Sequence, residues 1–249
     1  MRYSWEQFRI ALGFLTILPV DRSLEVTPAR LGRSMALFPA VGLVIGLGLV
    51  VLDSLLGALI PRAVLDCLLL LILIVATGAL HLDGIADLFN GLVNGKNLPG
   101  KLEAIQDRRG GAMGVVGLVM LLLLKYLCLF NLPMSVKSAG LIFMPAVGRW
   151  VQVVLAVSCR HPRGRGSSGA VYLEYAGERE LLIACGSLIA VALVLFGMEG
   201  IFLIFLLGIA TILLIKFFEM RLGGVNGDVL GASSELMEVF SLLLVLAVI

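Results

Sequence analysis

Between Ala112 and Leu132 the chain reads AMGVVGLVMLLLLKYLCLFNL, with Lys125 its single charge. A helix of about 20 apolar residues, rising about 1.5 Å per residue, matches the roughly 30 Å hydrocarbon core of a bilayer. The run does not alternate apolar with polar residues, so a membrane β-strand is excluded. Further apolar stretches near 35–60, 63–81, 138–158, 181–198, 200–217 and 232–249 bring the expected spans to seven, the last being the weakest. Composition agrees. The 249 residues are 60% apolar and 14% charged, with a mean hydropathy of +1.07, against roughly 45–50% and about 25% in a soluble domain.

The segments between spans set the topology. Long polar loops at 82–111, 159–180 and 218–231 alternate with short turns at 61–62, 133–137 and around Gly197–Gly200. Every long loop therefore falls on one side. That side, with the N-terminus, collects Arg2, Arg9, Arg22, Arg30, Arg33, Lys96, Lys101, Arg108, Arg109, Arg160, Arg163, Arg165, Arg179, Lys216 and Arg221; the other side has only Arg62 and Lys137. The positive-inside rule places the first side in the cytoplasm. A formal net charge of +2 gives no reason to expect nucleic-acid binding.

Trp5, Phe8, Leu12 and Leu15 share one helical face, and the run from Phe8 to Val20, closed by Pro19, is short for a span. It reads as an interfacial or re-entrant helix. With Glu6 among the early charges and no small-residue cleavage site, it does not resemble a signal peptide. Cys67, Cys128, Cys159 and Cys185 are scattered and read as reduced packing residues. No tandem repeat divides the chain, so residues 1–249 are expected to form one all-α integral membrane domain. Its glycine-rich spans would permit close packing of a second copy.

The chemistry-bearing residues cluster in the long loops. In His81-Leu-Asp83-Gly84-Ile-Ala-Asp87-Leu-Phe-Asn90, a continued helix puts Asp83, Asp87 and Asn90 on one face at i, i+4 and i+7. Oxygen ligands in that arrangement favour Mg²⁺ or Mn²⁺ over zinc; the plainer reading is a solvated acidic helix end. Glu103 and Asp107 repeat the i, i+4 spacing, followed by Arg108, Arg109, Gly110, Gly111 and Gly114 at the start of the next span. A helix N-terminus with small residues and arginines suits a phosphate, or Gly110 and Gly114 form a helix contact. In Gly223-Gly-Val-Asn226-Gly227-Asp228, Asp228 can cap a helix or reach a metal.

Arg149 within a span can touch phosphate, or pair with Asp53 or Asp66; Lys125 snorkels or pairs. His81 can orient an aspartate or donate to phosphate, or simply be hydrogen-bonded. The basic stretch from Arg160 to Gly169 suits a lid over a phosphorylated substrate or a membrane anchor.

These pieces, in order, resemble the adenosylcobinamide-GDP ribazoletransferase (cobalamin-5′-phosphate synthase) family. The resemblance runs nearly end to end through Phe14-Leu-Thr-Ile-Leu-Pro19, Phe38-Pro39-Ala-Val-Gly42, His81-Leu-Asp83-Gly84-Ile-Ala-Asp87, Glu103 with Asp107, Arg109 and Gly111, and Gly223-Gly224-x-x-Gly227-Asp228-x-Leu-Gly231-Ala. It implies a Mg²⁺-dependent enzyme of the cytoplasmic membrane that joins adenosylcobinamide-GDP to α-ribazole or its 5′-phosphate and releases GMP. It further implies that Asp83, Asp87 and Asp107 hold metal, with Asn90 where the family pattern has a further aspartate. Glu103 and Asp228 would be further ligands or the base, and His81, Arg109, Gly111, Arg149 and Asn226 would contact substrate. Two other classes compete. A transporter would place its binding groups near the bilayer midplane and show inverted repeats; a CDP-alcohol phosphotransferase would carry Ala-Arg where this chain has Ala86-Asp87.

Overall fold

The apolar runs fold as helices, and the chain turns where proline or a positive φ interrupts them. The computed structural model describes residues 2–20, 25–94, 111–161 and 172–249. Among these lie ten α-helices: α1 (Arg2–Leu15), α2 (Pro28–Ser34), α3 (Phe38–Leu56), α4 (Arg62–Ala76), α5 (Leu80–Asn94), α6 (Ala112–Asn131), α7 (Met134–Ser158), α8 (Glu178–Phe196), α9 (Met198–Leu222) and α10 (Gly227–Val248). Short 3₁₀ turns occur at Met35–Leu37 and Leu173–Tyr175. Pro61 and Pro133 stand just before α4 and α7, where a missing N–H costs nothing, and Gly197 (φ 60°) and Gly223 (φ 76°) reverse the chain around α9.

Six segments are long and apolar enough to cross a bilayer, and the bent pair α4–α5 supplies a seventh candidate. The chain is a multi-pass membrane protein. Helices α7 and α10 form its centre, buried along most of their length, whereas α8 and α9 turn most of their side chains outward, Val194 and Met198 among them. Helix α3 meets α7 at backbone distance: a Cβ on Gly42 would stand 2.7 Å from Ala146 Cα, and one on Gly46 2.7 Å from the Leu141 carbonyl oxygen. Gly42→Leu is therefore expected to destabilise the bundle by about 1–3 kcal/mol through overpacking. Thermal unfolding of the detergent-solubilised protein tests this, and an unchanged midpoint would refute it.

Four expectations need correction. The second span does not continue straight into the loop after it. Gly78 (φ 61°) and Ala79 (φ 56°) break the helix, and α5 leaves α4 at 92°. Much of the expected 82–111 loop is consequently helix. Helix α1 stops at Leu15, before Pro19, because the Thr16 hydroxyl folds back to the Leu12 carbonyl and the Ile17 N–H goes to the Ala76 carbonyl at 2.9 Å. The 218–231 loop shrinks to residues 223–226, since α9 runs on to Leu222 and α10 begins at Gly227. Asp53 and Asp66 are not partners of Arg149. They pair with Arg62, 2.6 Å from Asp53, and Lys137, 2.8 Å from Asp66, at the opposite end of the bundle.

Candidate active site

The right-angle bend after α4 lays α5 against the start of α10. A Cβ on Gly84 would collide with the Asp228 carbonyl oxygen and stand 3.0 Å from the Ala232 nitrogen, while Gly231 presses on the His81 Cα. Two of the clusters singled out in the sequence, His81–Asn90 and Asn226–Asp228, thus meet through their backbones. Asp83 lies exposed on this helix and makes no hydrogen bond or ion pair to a described residue; Asp87 is buried one turn further on.

At the other end of α5 stand Gly111 and Gly114, the described residues of the third cluster. Gly111, the N-cap of α6, has no side chain with which to cap, and Asn90 takes that role from α5: its Oδ1 accepts the Gly114 N–H at 2.8 Å. Gly111 and Gly114 are the residue type that permits this approach, since a Cβ on either would meet the Asn90 amide. Asn90 is buried in this role. Glu103, Asp107, Arg108 and Arg109 lie outside the described residues, as does most of the basic stretch after Arg160. Among the described residues no three His, Cys, Asp or Glu side chains gather closely enough to hold a metal ion.

At the start of α10, Asn226 caps the helix, accepting the Val229 N–H at 2.9 Å, and its amide donates to Asp228 Oδ2 at 3.4 Å. Neighbouring segments are stitched to this corner. The Val225 N–H donates to the Arg160 carbonyl at 2.9 Å, and the Arg160 N–H to Glu219 Oε1 at 2.7 Å. Nearby, burial and the Glu219 carboxylate push the Cys159 thiol up to about 11, so it stays protonated at neutral pH.

His81 and Asp228 both line a cavity of about 180 Å³ that the sequence reading did not anticipate. Its walls are largely apolar. Phe14 of α1 stacks on Phe38 of α3 at 6.0 Å and meets Tyr172 edge-on at 5.4 Å, and Met35 and Leu80 complete them. Gln152 adds a polar group from α7, and Gly227 and Gly231 bring backbone to the wall. Burial first, and the Asp228 carboxylate second, push the Tyr172 hydroxyl up to about 12; it is a hydrogen-bond donor throughout the neutral range. The buried His81 has no partner for Nδ1.

Arg149 lies one turn before Gln152 on α7 and is wholly buried. Its Nη1 donates to Ser234 Oγ at 2.7 Å and pairs with Glu238 Oε1 at 2.9 Å, while Nε and Nη2 have no partner among the described residues. Lys125 of α6 pairs with Glu235 at 2.7 Å and with Glu238. Two cations and two carboxylates thus form one buried network joining α6, α7 and α10. Glu238, the hub, escaped the sequence reading, although an acid inside an apolar run is the signal that a buried cation must answer.

Compared with known proteins, the chain matches over residues 7–246 a family model described as cobalamin-5-phosphate synthase. It is 40% identical over 239 residues to a protein of Geotalea daltonii, covering 96% of each chain. A protein of Desulforamulus reducens is 35% identical, with 97% of this chain and 96% of the relative covered. One of Acetivibrio thermocellus is 32% identical over 98% of each. All three relatives are named adenosylcobinamide-GDP ribazoletransferase. No solved structure matches.

Proposed function

The chain belongs to the cobalamin-5-phosphate synthase family and is an enzyme, and on that premise we propose that it joins adenosylcobinamide-GDP to α-ribazole, or to its 5′-phosphate, with release of GMP. One observation supports this reading above others: the α5–α10 contact brings His81 and Asp228 onto the wall of one cavity, which Phe14, Phe38 and Tyr172 share. Such a cavity suits the flat base of the acceptor, with its sugar directed at Asp228.

A ribose hydroxyl of the acceptor attacks the phosphorus on the cobinamide side. A new P–O bond forms, the P–O bond to GMP breaks, and a carboxylate takes the hydroxyl proton. Asp228, on the cavity wall and held by Asn226, is our choice for that base, with Glu103 the alternative. The exposed Asp83 and the neighbouring Asp87 are an oxygen-only donor pair fit for Mg²⁺ or Mn²⁺, to which Asp107 and Glu103 would add. The ion would neutralise phosphate charge. His81, Arg109 and the start of α6 at Gly111 would take the phosphate oxygens, while Arg149 would act from behind Gln152. The charge bias of the loops supports a cytoplasmic-membrane enzyme with this site on the cytoplasmic side.

The purified protein in lipid nanodiscs, given adenosylcobinamide-GDP, α-ribazole and Mg²⁺, should yield the cobamide and GMP in equal amounts by chromatography. Absence of product with either metal and either acceptor would refute the assignment.

A further inference from the structure

Two hollows lie along α8, in a seam whose facing wall runs from α2 and the 3₁₀ turn at Met35–Leu37 into α3, away from the site above. The first, about 90 Å³, opens where both helices begin and is lined by Gln7 of α1, Arg33, Leu37, and Arg179, Glu180 and Ile183 of α8. The second, about 390 Å³, is lined only by apolar side chains, among them Leu43 and Leu47 of α3, Ile142 of α7, and Ala190 and Val194 of α8. Leu37 closes the 3₁₀ turn that leads into α3, Leu43 and Leu47 follow on α3 itself, and Ile183, Ala190 and Val194 follow one another along one face of α8, so the two hollows succeed each other along α8. From Ile183 to Val194 they extend about 16 Å, close to the depth of one leaflet.

At the polar end the Gln7 amide is unsatisfied. Gln7 is 4% exposed, yet neither its Nε2 nor its Oε1 has a partner among the described residues. A buried amide with neither donor nor acceptor engaged is exceptional, and here it faces a hollow with two arginines. Glu180 in the same hollow accepts the Gly177 N–H at 3.0 Å through Oε2. The groove beyond has no polar group to hold water and opens on a side of α8 whose Ile189 and Val194 are themselves exposed.

We propose that this seam holds one phospholipid. Its phosphodiester lies against Arg33, Arg179 and the Gln7 Nε2, its headgroup donor meets Gln7 Oε1 or Glu180, and one acyl chain fills the groove past Ala190. A free phosphate offers the same oxygens but leaves the groove empty. Helix α1 carries Gln7 and, two turns later, Phe14 of the cavity wall, so the lipid braces the helix that helps to close that cavity. The proposal does not depend on the reaction assigned to that cavity.

Native mass spectrometry of the whole protein, delipidated in detergent and titrated with phosphatidylglycerol or phosphatidylethanolamine, tests it. The wild type should retain one phospholipid per chain. Retention should fall about tenfold or more in the Arg33→Gln, Arg179→Gln double variant. It should fall comparably in Ala190→Phe, whose ring fills the groove. Thermal unfolding should rise with lipid in the wild type and less in either variant, while size-exclusion profiles stay alike. Equal retention in all three proteins would overturn the proposal. So would loss in the arginine variant alone together with displacement of the lipid by inorganic phosphate, which would mark a free-anion site.

Discussion

Asp83→Asn should reduce cobamide formation by at least about 10³-fold, the scale of removing a metal-holding or proton-handling carboxylate, while the protein inserts and melts like the wild type. The second half follows from position. Asp83 is exposed and makes no hydrogen bond or ion pair to a described residue, so the amide leaves no buried group stranded. Product formation in nanodiscs and a thermal scan of the same preparation measure both halves. Full activity would remove Asp83 from the site, and a collapsed melting transition would show that the residue serves the fold. Excess Mg²⁺ should restore little of the rate if the carboxylate charge itself is required.

Glu238→Leu should have the largest structural effect of any single substitution in the bundle. Glu238 is fully buried and faces both Lys125 and Arg149. Its loss leaves Arg149 with no carboxylate and Lys125 with Glu235 alone. Breaking a buried pair by removing one partner costs about 3–5 kcal/mol, because the remaining charge stays desolvated. The expected result is little monodisperse protein after detergent extraction. The combined Glu238→Leu, Arg149→Met change should recover part of that loss, since Lys125 keeps Glu235 at 2.7 Å and no cation is left without a carboxylate. Normal yield and melting in Glu238→Leu would show that water or lipid headgroups reach the network.

The spans were legible because each depends on a run of local residues, whose hydropathy does not require a partner to be known. Helix α6, from Ala112 to Asn131, falls within two residues of the expected 112–132 span for that reason. The face bearing Asp83, Asp87 and Asn90 was also legible, since α5 keeps the helical register assumed for it. Its direction was not. Gly78 can be read as permissive, but Ala79 at φ 56° has no local signature, and the 92° bend is sustained by contacts with α10 far along the chain. The same limit hid the cavity. Phe14, Phe38, Gln152 and Tyr172 come from separate segments, and nothing in each one's neighbours indicates that they share a wall. Arg149 was correctly suspected of an inward position, but its partner was sought in Asp53 and Asp66, which belong to Arg62 and Lys137.

The buried ion network also constrains biosynthesis. Lys125 precedes Glu235 by 110 residues, and Arg149 precedes Glu238 by 89, so both cations leave the ribosome before either acid has been translated. At about 5–20 residues per second this interval lasts several seconds or more. During it, α6 and α7 must be held by the insertion machinery or near the lipid headgroups with their charges uncompensated. Only the arrival of α10 allows them to settle at full depth, and the same arrival gives α5 its seat beside Asp228. Membrane integration and assembly of the proposed site are thus completed by one late event, and a nascent chain arrested before α10 would be at once poorly inserted and inactive.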